Sequence, residues 1–303
     1  MRFRVLKAVA ATFAYLAEHW PVVLKAMWLP ALIVAGLQVY AAPAMFSSMA
    51  EFVLLGPNPD PEIAAAAISR LGGAMIFYFI AGFIFFPMLT VASLRHIIRG
   101  EEPQLPFYFN YGADETRIMG ANFLFNLMVV VIAVIADLAL GVLLVVIGLL
   151  GPAAAAALKG VGSVATQAVT GWFQVRMSTL FPAVMATRSL GLGVAFDVTR
   201  RDWLALIAYW ILIGLVILPV ILVLLSPAAF PLVGDMAKLG QNNPAATAAF
   251  FQKLSAALEP SSPGFWMAAA GLLLTTLIVN AIVNVASAVA WRYLAAERDG
   301  ATR

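Results

Sequence analysis

The stretch Gln167–Trp203, QAVTGWFQVRMSTLFPAVMATRSLGLGVAFDVTRRDW, decides how this chain is read. It begins in an apolar helix that carries one embedded arginine, Arg176, and leaves that helix through Phe181-Pro182 and Arg188. It then turns through Gly191-Leu192-Gly193 into a short amphipathic elbow ending at Arg200, Arg201, Asp202 and Trp203, where the next apolar run starts. Two apolar helices joined by a basic, tryptophan-edged elbow are what a chain crossing a bilayer twice requires, because cationic and aromatic side chains settle at the interface.

Composition extends that reading to the whole chain. Of 303 residues, 63% are hydrophobic and 11% charged, with a mean hydropathy of +0.96. A water-soluble domain of this size cannot bury so much apolar surface. Runs of about 20 apolar residues match the hydrocarbon thickness at about 1.5 Å rise per residue. The chain has no cysteine, which excludes disulfide and thiolate chemistry. Its two histidines, His19 and His96, are too few for a histidine metal site.

Six spans are predicted, making one all-α membrane domain over residues 1–303. The N-terminus (Arg2, Arg4, Lys7, then an Ala-rich run) imitates a signal peptide but reaches Glu18 without a cleavage site. Leu6, Val9, Phe13, Leu16 and Trp20 share one helical face, so this segment reads as a helix lying on the membrane surface. Pro21 starts helix 1, which runs to about Ala41. A proline-containing connection with a short helix, EIAAAAISR, follows, then helix 2 (about Gly72 to Leu94) and the polar connection GEEPQLPFYFNYGADETR. Helix 3 covers Ile118 to Leu150. AAAAALKG makes a second connection, and helix 4 runs from Val161 to Thr187. Helix 5 follows Trp203 and ends near Ser226-Pro227. NNPAATAAFFQKLSAAL in the next connection is a helix capped by Asn243 with Pro244 at its first position, and helix 6 spans Phe265 to Trp291. With the N-terminus inside, twelve basic residues fall on the cytoplasmic side and four (Arg70, Lys159, Lys238, Lys253) on the outer side. The positive-inside rule then puts both termini in the cytoplasm.

The three outer connections share a proline, an Ala-rich turn and a basic residue. Pro61, Pro152 and Pro244 lie 91 and 92 residues apart, and Phe13 and Trp20 match Phe196 and Trp203 at the summed shift of 183. A common period predicts three degenerate helical hairpins, roughly 1–100, 101–190 and 191–303, in one orientation. The Pro-x-acidic-x-x-basic signature of mitochondrial carriers, which also have three hairpins, is absent.

The run Phe181–Ile213, FPAVMATRSLGLGVAFDVTRRDWLALIAYWILI, resembles a broad group of bacterial six-helix inner-membrane proteins. That group includes the membrane domain associated with glycerophosphodiester phosphodiesterases. The likeness rests on the Phe-Pro-Ala exit, the glycine turn and the Thr-Arg-x-x-Trp elbow, about 35 residues of structural motif. It implies a bacterial inner-membrane location and a six-span layout, and no catalytic residue. No soluble domain large enough to be the phosphodiesterase itself is present.

Ionisable groups at membrane depth are costly and so are candidates for function. Asp137 in helix 3 and Arg176 in helix 4 stand out, whereas Lys25 reaches the inner interface. Asn122, Asn126, Asp137, Gly141 and Gly148 fall within an arc of about 100° on helix 3, a stripe expected to face protein. Thr276, Asn280, Asn284 and Ser287 make a second stripe on helix 6, and Gln167, Thr170 and Gln174 a third on helix 4. Helix 4 is accordingly expected at the centre, with helices 3 and 6 against it and helix 5 facing lipid. Counted along straight helices, Arg176 lies about 18 Å from the inner edge, level with Asn280, and Asp137 about 30 Å from it. The expected cluster is therefore Arg176 with Asn280, joined by Asn284, Asn126 or Gln174; an Asp137–Arg176 pair needs helix 3 to tilt. Three roles are open for these groups: interhelical hydrogen bonds, a hydrated cavity whose arginine attracts an anionic group such as a lipid phosphate, or a proton pathway through Asp137. At the inner surface Arg95, His96, Arg99, Arg200 and Arg201 are candidate lipid-headgroup contacts or plain topology signals.

Chemistry-bearing motifs are missing. Glu101-Glu102 and Asp114-Glu115 are carboxylate pairs read as lying in a hydrated loop, without metal-ligating partners. Gly-Leu-Gly at 191–193 lacks the third glycine of a nucleotide loop, and no Ser-x-x-Lys or Gly-x-Ser-x-Gly occurs. No cofactor, metal or nucleic acid is implied. The expected function is a non-enzymatic protein that handles or senses membrane lipids, anionic ones included, or supports a membrane-protein partner. A small secondary transporter with a cavity between helices 3, 4 and 6 is the alternative.

Overall fold

The computed structural model describes residues 3–55, 60–102, 111–148, 151–229 and 243–301, the backbone alone at 152–157, 227–229 and 297–301. Every element among them is a helix. They are α1 (Val5–Leu54), α2 (Pro61–Arg99), α3 (Ala113–Gly148), α4 (Pro152–Arg176), α5 (Leu180–Thr187), α6 (Leu192–Val198), α7 (Trp203–Ala229), α8 (Pro244–Ala257) and α9 (Phe265–Ala301). Five are long and apolar enough to cross a membrane: Val5–Leu54, Pro61–Arg99, Ala113–Gly148, Trp203–Ser226 and Phe265–Ala296. The predicted fourth span is not among them: it is broken into α4 and α5, and α4, although 25 residues long, is less apolar than the five. Pro57, Pro59, most of GEEPQLPFYFNY, Lys238 and the side chain of Arg298 lie outside the described residues.

Proline chemistry explains most boundary differences. Alanine is the best helix former and nothing breaks EIAAAAISR or AAAAALKG. Pro61 and Pro152 therefore open α2 and α4 themselves, with no separate short helices. The N-terminal segment is likewise no separate surface helix. It continues into helix 1, and Pro21, Pro30 and Pro43 all lie inside the 50 residues of α1. In α2, Pro87 follows a π-helical turn, Ala81–Phe85, whose wider ring moves carbonyls away from the proline. Asn243 caps α8 by accepting from the Ala246 N–H (3.1 Å), with Pro244 in the first turn, as the spacing predicts.

The centre of the bundle is α1 against α9, not helix 4. Alanines permit this close pairing: Ala8, Ala26 and Ala31 from α1, Ala281, Ala286 and Ala288 from α9, all buried. α2 and α8 pack on α1, and α7 packs on α9. Ser255 of α8 donates to the Pro43 carbonyl at 2.9 Å. One polar link ties α1, α7 and α9: the fully buried Tyr209 donates to the Ala286 carbonyl (2.9 Å) and meets the Thr12 hydroxyl at 2.8 Å. Tyr209→Phe should cost about 1–3 kcal/mol, since it removes two buried hydrogen bonds, while Thr12 keeps the Ala8 carbonyl at 2.9 Å. Unfolding in detergent, monitored by circular dichroism, checks this. α3 and α4 form a hairpin attached through α2, α5 and α7. The most apolar 18-residue window of α3 has no buried residue, whereas half of the corresponding window in α9 is buried.

Candidate functional site: a cavity at the broken helix

The break in helix 4 originates at Pro182. Its ring would clash with the Ser178 carbonyl four residues back and it has no N–H to donate. The chain avoids the clash by ending α4 at Arg176, turning through Met177-Ser178-Thr179, and restarting with Pro182 in the first turn of α5. The Leu180 N–H then bonds the Met177 carbonyl (2.9 Å) and leaves the Arg176 carbonyl without its helical partner. The Thr199 hydroxyl supplies one, donating at 2.8 Å.

Arg176 itself is anchored in the same place. Only 5% exposed, it donates through Nε to Thr199 Oγ1 (3.1 Å) and through Nη2 to the Phe196 carbonyl. Its guanidinium carbon sits 3.9 Å above the Phe196 ring and 5.6 Å from the Trp172 ring. So the arginine clamps the end of α4 onto the elbow helix α6. Gly191, which starts that elbow, has φ +66, and a Cβ there would lie 2.9 Å from the Val184 nitrogen, so only glycine fits.

The predicted Arg176–Asn280 cluster does not form. The depth count assumed a straight helix to Arg188, and the break after Arg176 invalidates it. Asn280 instead bonds the Thr276 carbonyl of its own helix (2.6 Å), and Asn126 bonds Asn122 (2.7 Å to the carbonyl). Asp137 is exposed on α3 and makes no ion pair with Arg176; among the described residues nothing hydrogen-bonds it.

Two of the predicted residues do converge. Gln174 and Asn284 line a cavity of ≈ 430 Å³ at the break, bounded by α2, α3, α4, α5, α7 and α9. Phe86, Phe125 and Phe181 provide apolar walls. Ser178, Trp210 and Ser287 complete its polar lining. Asn284 is only 3% exposed, yet its Nδ2 has no hydrogen-bond partner, and neither do Trp210 Nε1 or Ser178 Oγ. Buried polar groups are rarely left unpaired, because each costs about 1–3 kcal/mol. Three uncharged donors, covered and unpartnered in the walls of one apolar space, suit a neutral acceptor on an apolar body once those side chains turn toward it. Among the described residues no carboxylate, histidine or lysine lines the cavity, so none of them stands beside Ser178 as a base.

At the C-terminal end of α2 the predicted headgroup contacts divide. Arg95 and Arg99 are engaged internally. Asp114 accepts from Arg99 (2.8 Å), Arg95 (3.2 Å) and Arg117 (3.0 Å), and Glu115, with no exposure, pairs with Arg95 at 3.2 Å. Arg99 also donates to the Met185 carbonyl of α5 at 2.9 Å. Asp114 and Glu115 therefore lie in the first turn of α3, not in a hydrated loop. Glu115 reaches back to the Gly112 N–H (2.9 Å), a capping-box contact readable from its position three residues after the cap. His96 lies 5.3 Å from His19, ring to ring, and its two ring nitrogens are buried without partners. Arg200 and Arg201 are exposed. No cluster of metal-ligating side chains is present among the described residues.

No protein family, curated protein or solved structure matches this chain.

Proposed function

We propose that this chain is a multi-pass protein of a bacterial inner membrane that holds a lipid in the cavity at its broken helix and has no catalytic role. The cavity carries the proposal: aromatic walls match acyl chains, and the unpartnered donors of Asn284, Trp210 and Ser178 match an ester carbonyl. Irregular backbone at membrane depth is tolerated where it lines a cavity, which makes α4 and α5 together the fourth of six spans. Both termini then face the cytoplasm, where the exposed Arg200 and Arg201 are placed to meet anionic headgroups. The three-hairpin repeat and the relation to the six-helix group resembled by residues 181–213 belong to the same proposal. A transporter is the second reading, favoured by one observation: the helix is interrupted between Arg176 and Leu180 where it lines the cavity, as discontinuous helices line the substrate sites of many secondary transporters.

Native mass spectrometry of the protein in nanodiscs tests the lipid. The wild type is expected to keep one lipid through delipidation, and Asn284→Leu to lose it while folding normally. Equal retention by both proteins, or none by either, would defeat the proposal.

A further inference from the structure

The stripe Asn122, Asn126, Asp137, Gly141 and Gly148 has the arrangement of a protein-facing surface, yet only its inner end is covered. Asn122 is buried; Asp137, Gly141 and Gly148 are exposed, and a Cβ on either glycine would meet nothing within 4 Å. Asp137 is set among Val134, Ile135, Leu138 and Val142, all more than 45% exposed. A lone carboxylate facing lipid is strongly disfavoured, whereas small residues beside it let another helix approach closely.

We propose that this face of α3 seats a transmembrane helix of a different protein, one bearing a lysine or arginine at the depth of Asp137. Charge complementarity selects that occupant. A second copy in the same orientation would set Asp137 beside Asp137. The nearest cation on the hairpin, Lys159, is offset: Gly162 abuts Leu140, which places Lys159 about 9 Å further toward the hairpin turn than Asp137. The inference rests on the membrane reading above but not on the cavity.

The test reconstitutes the full chain with synthetic Leu/Ala transmembrane peptides carrying one central lysine, or leucine in its place, and reads association by energy transfer. The lysine peptide should bind the wild type about tenfold more tightly than it binds Asp137→Ala, a difference of one carboxylate contact. The leucine peptide should show no preference. Carbonate extraction establishes that both proteins are inserted, which separates failure here from failure of the membrane reading, and Asp137→Ala should still retain the cavity lipid. Equal binding of the lysine peptide to both proteins overturns the proposal. So does a wild-type dimer, seen by single-molecule photobleaching, that Asp137→Ala dissolves, because the occupant is then a second copy.

Discussion

Asp114→Ala is expected to lower the stability of the folded chain by about 3 kcal/mol, from the loss of charge-assisted hydrogen bonds that are worth roughly 1.5 kcal/mol or more each. Asp114 receives hydrogen bonds from three arginines, and two of them, Arg95 and Arg99, come from the last turn of α2. Without the carboxylate, Arg95 keeps Glu115 at 3.2 Å and Arg99 keeps the Met185 carbonyl, so the loss falls on the α2–α3 junction itself. That junction is one of few attachments the α3–α4 hairpin has. Thermal unfolding in detergent measures the effect, and limited proteolysis should show the hairpin released first. Glu101→Ala is the internal control. Glu101 is half exposed and 3.7 Å from Arg99, so its removal should change stability by about 0–1 kcal/mol. Equal, small effects for both variants would show that the cluster does not hold the hairpin.

Arg176→Met should cost about 3 kcal/mol, from two charge-assisted hydrogen bonds of roughly 1.5 kcal/mol or more each. It also loses the contact with the Phe196 ring. The elbow helix α6 has only seven residues and cannot hold its own shape. Its position depends on this clamp and on Thr199. Arg176→Lys keeps the charge but not the fork that reaches the Phe196 carbonyl and the Thr199 hydroxyl together, so it should recover less than half. The same chemical-denaturation series reads both variants. Lipid retention at moderate denaturant should fall only in step with unfolding. An Arg176→Met protein that is fully stable but loses its lipid would return the arginine to the role of an anion-binding group.

The helical class and most of the helices were legible in the sequence, because apolar runs of bilayer length and proline or asparagine at helix starts are local signals. The α8 cap at Asn243 and Pro244 shows this best. The polar face of α9 was legible too, since Thr276, Asn284 and Ser287 are buried as their spacing predicts. What failed was depth. A count of residues along a straight helix put Arg176 beside Asn280, and Pro182 broke that helix between the arginine and the end used as its origin. Proline was read as an exit signal when its larger effect lay four residues upstream. The Asp114 cluster was missed for a different reason: its partners come from two helices, and only the capping relation of Glu115 to Gly112 was visible locally. Trp210 and Ser178 carry no sequence signal of being unpartnered, which is a property of the packed bundle.

The central claim is that the break in helix 4 makes a chamber for one lipid, distinct from lipid at the protein's outer surface. The direct measurement is photocrosslinking from benzoylphenylalanine placed at Phe181, which lines the cavity, and at Leu215, exposed on α7. The account predicts one discrete lipid adduct from position 181, lost in Asn284→Leu, and from position 215 a mixture in proportion to the membrane. The same mixture from both positions, or no lipid adduct at 181, would contradict it.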